Sequence, residues 1–173
     1  MQNDRVILRA IEPSDIDFIY TLENNPSNWH ISNTFVPFSR YSIEQYILNS
    51  DQDIFALKQL RLIIETNDSA QHERIGIIDL FDFDPFHKRV GIGIIILEEH
   101  QQKGYAGEAL KLVINYCFKT LYLHQCYCNI SVKNTTSLNL FKKAGFEVCG
   151  AKKEWIFDTN EWIDEQMLQL LNR

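Results

Sequence analysis

An apolar run, Val90 to Leu97, is followed by Gln101-Gln102-Lys103-Gly104-Tyr105-Ala106-Gly107 and then by a helical pattern that continues to about Thr120. This order of strand, glycine-bearing turn and helix constrains the fold more than any other part of the chain. Glycine at 104 and 107 lets the backbone turn tightly and lets a ligand approach the main chain. The first N–H groups of a helix have no partner within it, and the helix dipole there favours negative charge. The segment is therefore suited to cradle a phosphate. It contains neither GxxxxGK[ST] nor GxGxxG, so neither a P-loop nor a dinucleotide-binding fold is indicated.

The rest of the chain alternates strand and helix patterns. Arg5 to Arg9 reads as a first strand, and Pro13 suits the first position of a helix carrying Ile16, Ile19, Tyr20 and Glu23. Asn24 to Asn28 breaks that helix, and Trp29 to Arg40 reads as irregular and aromatic. Ser42 is placed to cap a second helix with Ile43, Tyr46 and Ile47. Phe55-Ala56-Leu57 and Leu60 to Glu65 suggest a strand region, and Asn67 to Glu73 a polar hairpin loop. Ile75 to Phe83 and Val90 to Leu97 are the next strands, the second apolar on both faces as a central strand should be. Cys126 to Val132 is a fifth strand, Thr135 to Lys143 a short helix stopped at Gly145, and two terminal strands meet at Asp158-Thr159-Asn160. No linker, repeat or low-complexity stretch divides the chain, so residues 1–173 are expected to form one domain.

At 173 residues the chain can bury a single core without disulfides or metal. The net charge of −6 argues against a nucleic-acid partner and mildly for a cationic one. No apolar run is long enough to span a membrane. Met1-Gln2-Asn3-Asp4 leads straight into the first strand, so no signal peptide is expected. The four cysteines, Cys117, Cys126, Cys128 and Cys149, lie in strand- or helix-like segments. They read as buried free thiols in a reducing cytoplasm rather than as metal ligands.

Gln101-x-x-Gly104-x-Ala106 resembles the Q/R-x-x-G-x-G/A pyrophosphate loop of the GNAT superfamily of N-acetyltransferases. Asn134-Thr135-Thr136-Ser137-Leu138-Asn139-Leu140-Phe141-Lys142-Lys143-Ala144-Gly145-Phe146 resembles that superfamily's N-x-x-A/S-x-x-L-Y-x-x-x-G-F helix and exit turn. The two occur in the right order and spacing, and the likeness extends from Leu8-Arg9-Ala10 to Trp162-Ile163-Asp164. The resemblance implies an α+β fold with one mixed, mostly antiparallel sheet of six to seven strands and helices on both faces. It implies acetyl-CoA as cosubstrate, an amine acceptor, no metal and a homo-oligomer as one option.

By the same resemblance, Gln101, Gln102, Lys103, Gly104, Tyr105, Ala106 and Gly107 hold the pyrophosphate, and Ile94, Ile95 and Ile96 offer backbone groups to the pantetheine. Asn134 serves the cofactor from the opposite wall, caps its own helix, or does both. Many relatives carry at position 141 a tyrosine that protonates the leaving thiolate; here Phe141 has no proton to give. Thiols are weak bases, with a pKa of about 8.5, so the reaction tolerates this loss. Ser137, one turn before Phe141, is the candidate acid. Ribosomal-protein alanine N-acetyltransferases, which this chain also resembles, have a serine in this slot and no tyrosine. A surface hydroxyl or a backbone bond is the alternative role for Ser137.

A free alkylamine, with a pKa near about 10.4, is almost wholly protonated at neutral pH, so a carboxylate or an ordered water must help remove its proton. Asp79, Asp82 and Glu154 are the candidates. The spacing of Asp79 and Asp82 puts them on opposite strand faces unless a bulge intervenes.

The segment from Gly76 to Phe146 aligns closely with bacterial spermidine N-acetyltransferases. The loop after the first helix is acidic in that family, whereas Ser32 to Arg40 here contains no carboxylate. Arg40 would repel a polyamine, and Phe35, Val36 and Phe38 suggest an apolar wall. A monoamine or peptide amine is therefore expected over spermidine. The alternative to an enzyme is a catalytically weak acyl-CoA-binding or sensing domain, which Phe141 keeps open.

Overall fold

In the computed structural model the described residues are 1–32, 36–49, 53–68 and 71–173, with the backbone alone described for 30–32. The chain enters the sheet as β1 (Val6–Ala10), then forms α1 (Ile16–Glu23), α2 (Pro26–Ser32), α3 (Arg40–Leu48) and α4 (Ile54–Leu57). A meander of β2 (Leu60–Thr66), β3 (Arg74–Asp84) and β4 (Arg89–Ile96) leads into α5 (Tyr105–Lys119), β5 (Gln125–Ser131) and α6 (Thr135–Lys143). The hairpin of β6 (Glu147–Asp158) and β7 (Glu161–Leu171) completes a seven-stranded sheet in the order β1-β2-β3-β4-β5-β7-β6. Among the described residues only β4 and β5 run parallel, as the α5 crossover between them requires. The mixed sheet with helices on both faces matches the expected α+β architecture, at the upper end of its strand count.

Side chains alternate across each strand and sort into two cores. Ile78, Leu80, Ile92, Ile96, Cys126, Cys128, Ile130 and Leu168 pack with Leu110 and Val113 of α5 and with Leu138 and Phe141 of α6. On the opposite face Ile63 and Ile77 pack with Ile19 and Leu22 of α1 and Ile43 and Ile47 of α3. This second core lies over β2 and β3. Towards β4 and β5 the same face presents Gly91, Gly93, Tyr127 and Asn129.

Several local expectations are corrected. Pro26 opens α2, so after a two-residue break at Asn24 and Asn25 the chain to Ser32 is helical rather than irregular. The cap of α3 is Ser39, whose hydroxyl accepts the Ser42 N–H at 3.0 Å; Ser42 itself lies inside the helix. Phe55-Ala56-Leu57 forms a helical turn instead of a strand, because Asp53 caps the Ala56 N–H at 2.9 Å and Lys58 stops it in the left-handed region. Cys149 is exposed, unlike the other three free cysteines. Phe35 lies outside the described residues.

The edge of the sheet is held by buried charge. Asp15 is 0 % exposed and receives Arg9 through both oxygens at 2.6 and 2.8 Å. Its oxygens also accept the Glu12 N–H at 2.8 Å and Arg74 at 3.2 Å, while Arg9 reaches on to Glu65. Burial alone would raise the Asp15 pKa, but the hydrogen bonds from Arg9 and Glu12 and the charge of Arg9 outweigh it, so the carboxyl lies below its ordinary value. A depressed folded pKa stabilises fully above the unfolded value of about 3.9 and the contribution disappears as the pH falls through the folded one. Asp15→Asn is expected to cost about 3 kcal/mol at neutral pH, since it removes the buried anion between Arg9 and Arg74 and leaves Arg9 with Glu65 as its one carboxylate among the described residues. The penalty should shrink in urea titrations run below the ordinary carboxylate range. A pH-independent penalty would contradict this account.

Candidate active site

β4 and β5 pair only at Arg89↔Gln125, Val90↔Cys126 and Gly91↔Tyr127. Beyond Gly91 each strand continues, to Ile96 and Ser131, without its neighbour. The chain therefore holds a split in the middle of its own sheet. The Leu97 N–H donates to Ile75 on β3 at 2.8 Å, and His124 donates to the Lys88 carbonyl on the β5 side at 2.8 Å. Alternation along an antiparallel ladder then directs the N–H and C=O groups of Ile92, Ile94 and Ile96 into the split. Ile95 turns its backbone groups to Ile77 on β3. Of the three isoleucines expected to serve a ligand, Ile94 and Ile96 are placed to do so and Ile95 is not. Their side chains are core, Ile94 and Ile96 beneath the split and Ile95 on the other face.

The loop from Gln101 to Gly107, expected to hold a phosphate, sits at the open end of this split. Gly104 has φ +87°, where an L side chain is strained, and a Cβ there would lie 3.0 Å from Nη1 of Arg5. Arg5 clamps the loop: Nη2 donates to the Lys103 carbonyl at 2.9 Å, and the guanidinium lies 4.9 Å from the centre of the Tyr105 ring. Gln101 donates its amide to the Ile96 carbonyl at 2.9 Å, tying the loop to the end of β4. Gln102 takes a positive φ of 59° and turns the chain into the exposed Lys103. The N–H groups of Tyr105, Ala106 and Gly107 open α5 without helical partners. Glu108, the acidic residue in this first turn, is held by Asn3 at 3.0 Å and Lys111 at 2.7 Å. A positive side chain, three free N–H groups and a glycine in the left-handed region fit a pyrophosphate.

α6 forms the other wall. Asn134 caps it, its side-chain oxygen accepting the Ser137 N–H at 3.0 Å, which leaves the amide nitrogen without a partner among the described residues. Ser137 is half-buried, and its hydroxyl has no hydrogen bond among the described residues. Phe141 is buried in the core, edge-on to Phe146 at 5.0 Å. It supports the wall and reaches no polar group.

The face of the sheet that carries Phe81 and Tyr127 is aromatic and acidic. Phe81 lies so close over Gly91 that any Cβ there would overlap its ring, and Tyr127 meets Phe81 edge-on at 5.9 Å. These rings pave the closed end of the split. A bulge in β3 between Phe81 and Asp84 sets Asp82 at φ 50°, and Asp82 accepts the Tyr127 hydroxyl at 3.3 Å across β4. The bulge thus carries Asp82 to the face that Asp79 already occupies. Burial and the Asp82 charge push the Tyr127 pKa up to about 12, so its hydroxyl keeps its proton. Asp79 is gripped by Arg61 at 2.7 and 2.9 Å. Glu154 is exposed on β6, with β7 between it and β5, and the fold does not bring it to the split.

Beside Phe81 opens a cavity of about 470 Å³ between the sheet and helices α1 and α3. Phe38, Ile43, Tyr46 and Leu60 line it, together with the ion cluster of Glu23, Arg61 and Asp79. Arg40, expected near the acceptor, instead pairs with Asp17 at 2.5 Å on the outside of α1. The residues that sequence reasoning missed are Arg5, Glu23, Arg61 and Tyr127. The first gave no local signal, and the others are joined only by cross-strand register and by the end of a helix.

The signature of the acetyltransferase (GNAT) domain matches residues 5–147. The spermidine N(1)-acetyltransferase of Vibrio cholerae is 28 % identical over 172 residues, covering 98 % of this chain and 94 % of that protein. The crystal structure of V. cholerae spermidine N-acetyltransferase in complex with CoA and spermine superposes with a TM-score of 0.85 at 28 % identity, covering 98 % of this chain and 96 % of that one. A dodecameric structure of the V. cholerae enzyme in an intermediate state matches with a TM-score of 0.80 at 29 % identity, over 98 % and 95 % of the two chains. The phosphate loop, the split sheet and these likenesses agree: the chain belongs to the GNAT acetyltransferase family and moves an acetyl group from acetyl-CoA to an amine.

Proposed function

We propose that the pyrophosphate of acetyl-CoA rests on the start of α5, that its pantetheine arm lies in the split between β4 and β5, and that the amine arrives from the face carrying Phe81 and Tyr127. The observation that carries this reading is the loss of pairing after Gly91, which leaves the N–H and C=O of Ile94 and the N–H of Ile96 facing open space. When bound, acetyl-CoA supplies an acetyl group on a good leaving thiolate. Ile94 orients it through its N–H and C=O and Ile96 through its N–H, and Asn134, whose amide nitrogen has no partner among the described residues, adds to them from the other wall.

Asp82 is the carboxylate we assign to proton removal from the ammonium, directly or through water. It is exposed, and its one partner among the described residues is the Tyr127 hydroxyl. Asp79 is less suited because Arg61 occupies both of its oxygens. Ser137 is assigned to proton delivery to the thiolate, since its unpartnered hydroxyl stands on the helix face of Asn134.

The cavity beside Phe81 is assigned to the body of the acceptor. A polyamine acceptor is the second reading, favoured by kinship to spermidine N-acetyltransferases. Assembly into a homo-oligomer is supported by the dodecameric neighbour and by Trp155, Phe157 and Trp162, each 60 % exposed on the β6–β7 hairpin. Four cysteines without disulfides support a reducing, cytoplasmic setting.

Acetyl-CoA at about a hundred times its Kd is expected to stabilise the fold by about 2.7 kcal/mol, or a Tm rise of about 5–10 °C. Gly104→Val should abolish that rise, because valine strains at positive φ and crowds Arg5. A full rise in the variant would remove this loop from the site. Ser137→Ala should lower kcat by about a hundredfold with little change in KM for acetyl-CoA. Full activity in that variant would pass the proton to water instead.

A further inference from the structure

Two acidic side chains, Glu23 at the end of α1 and Asp79 on β3, face the acceptor cavity, and a substrate cation would seek them. Neither is free. Arg61 on β2 donates Nε and Nη2 to the two oxygens of Asp79 at 2.7 and 2.9 Å, and its Nη1 meets Glu23 Oε1. The Tyr46 ring lies 5.5 Å from the guanidinium. The trio still carries one net negative charge, but Arg61 occupies both oxygens of Asp79 and one oxygen of Glu23.

We propose that Arg61 is a built-in cation filling the ammonium subsite of this cavity, so that the enzyme takes acceptors with one amino group on an apolar body and discriminates against polyamines. The inference rests on the reading that this cavity receives the acceptor.

Arg61 cannot swing aside at low cost. Glu23 is only 8 % exposed, so withdrawing the guanidinium would leave a buried carboxylate unpaired. A guanidinium is charged at any working pH, and its planar fork matches the two oxygens of Asp79. A polyamine entering the cavity would bring ammonium groups beyond the one that reacts. Each would lose water and meet the positive charge of Arg61 in place of a free anion. The reacting ammonium has Asp82 beside Tyr127 at the closed end of the split. Apart from Ser42, Tyr46 and Gln59, which carry no charge, the rest of the cavity wall is apolar, with Ile19, Phe38, Ile43, Leu60 and Phe81. About 470 Å³ is room for an aryl- or alkylamine.

The test is kcat/KM for spermidine and for 2-phenylethylamine, measured on the wild-type chain, Arg61→Gln and Arg61→Lys. The wild type should favour 2-phenylethylamine by at least about tenfold, a difference of about 1.4 kcal/mol. Arg61→Gln, which frees both carboxylates, should raise the spermidine-to-phenylethylamine ratio by at least about tenfold, while Arg61→Lys, which keeps the charge, should leave it within about threefold. Should Arg61→Gln not fold, Glu23→Gln/Arg61→Gln removes one carboxylate with the guanidinium and should raise the ratio in the same direction. An unchanged ratio in the charge-removing variant, or a wild type that prefers spermidine, overturns the role of Arg61 while leaving acetyl transfer in place. A wild type that binds acetyl-CoA and acetylates neither amine, nor any peptide amine, overturns the acceptor reading of the cavity and this inference with it.

Discussion

The parting of β4 from β5 after Gly91 is the constraint on which the rest of the structure depends. A buried backbone group without a partner costs about 1–3 kcal/mol, and a central strand that abandons its neighbour exposes several of them. The sheet sustains this because α5 and α6 follow the parted ends of β4 and β5 and pack beneath the gap. Leu110, Leu138 and Phe141 share one core with Ile92, Ile96 and Ile130. The helix starts therefore bring unpaired N–H groups and the Asn134 amide to the place where the strands have left room. In the proposed placement, a ligand with phosphates at one end and amides along its arm would complete what the sheet leaves open, in the manner of an added strand.

Buried charge is organised around two arginines with different consequences. Arg9 joins β1 to Asp15 and Glu65 and fixes the edge of the sheet far from the split. Arg61 joins β2, β3 and the end of α1, and so stands where an acceptor would dock. Burial alone would lower its pKa, but the charges of Asp79 and Glu23 outweigh that, and Arg61 stays a permanent cation. The same side chain therefore ties α1 to the sheet and sets the charge of the cavity. Kinship to spermidine N-acetyltransferases does not by itself carry their acceptor over to this chain.

Features encoded within a few consecutive residues were legible in the sequence. The loop Gln101 to Gly107, the Asn134 cap and the turn at Gly145 are of this kind, since glycine and capping side chains act on their own backbone. The alternation of strand and helix was legible for the same reason. Short aromatic segments were not, because Phe55 and Trp29 suit a strand, a loop or a helix equally until Asp53 and Pro26 decide. The acceptor side was least legible. Arg61 and Asp79 lie 18 residues apart across a hairpin whose register shifts at Ile64/Glu65. Asp82 reaches its face only through a bulge, and Tyr127 is placed by a parallel pairing that ends beside it. Long-range register and irregularities of this kind leave little trace in local pattern.

Amide hydrogen exchange with and without CoA tests the central claim most directly. The account predicts new protection at Ile94 and Ile96 in the split and at Tyr105, Ala106 and Gly107 at the start of α5, with Ile95 already protected by β3 in the free protein. Protection confined to other strands, or none in the split at saturating CoA, would contradict it.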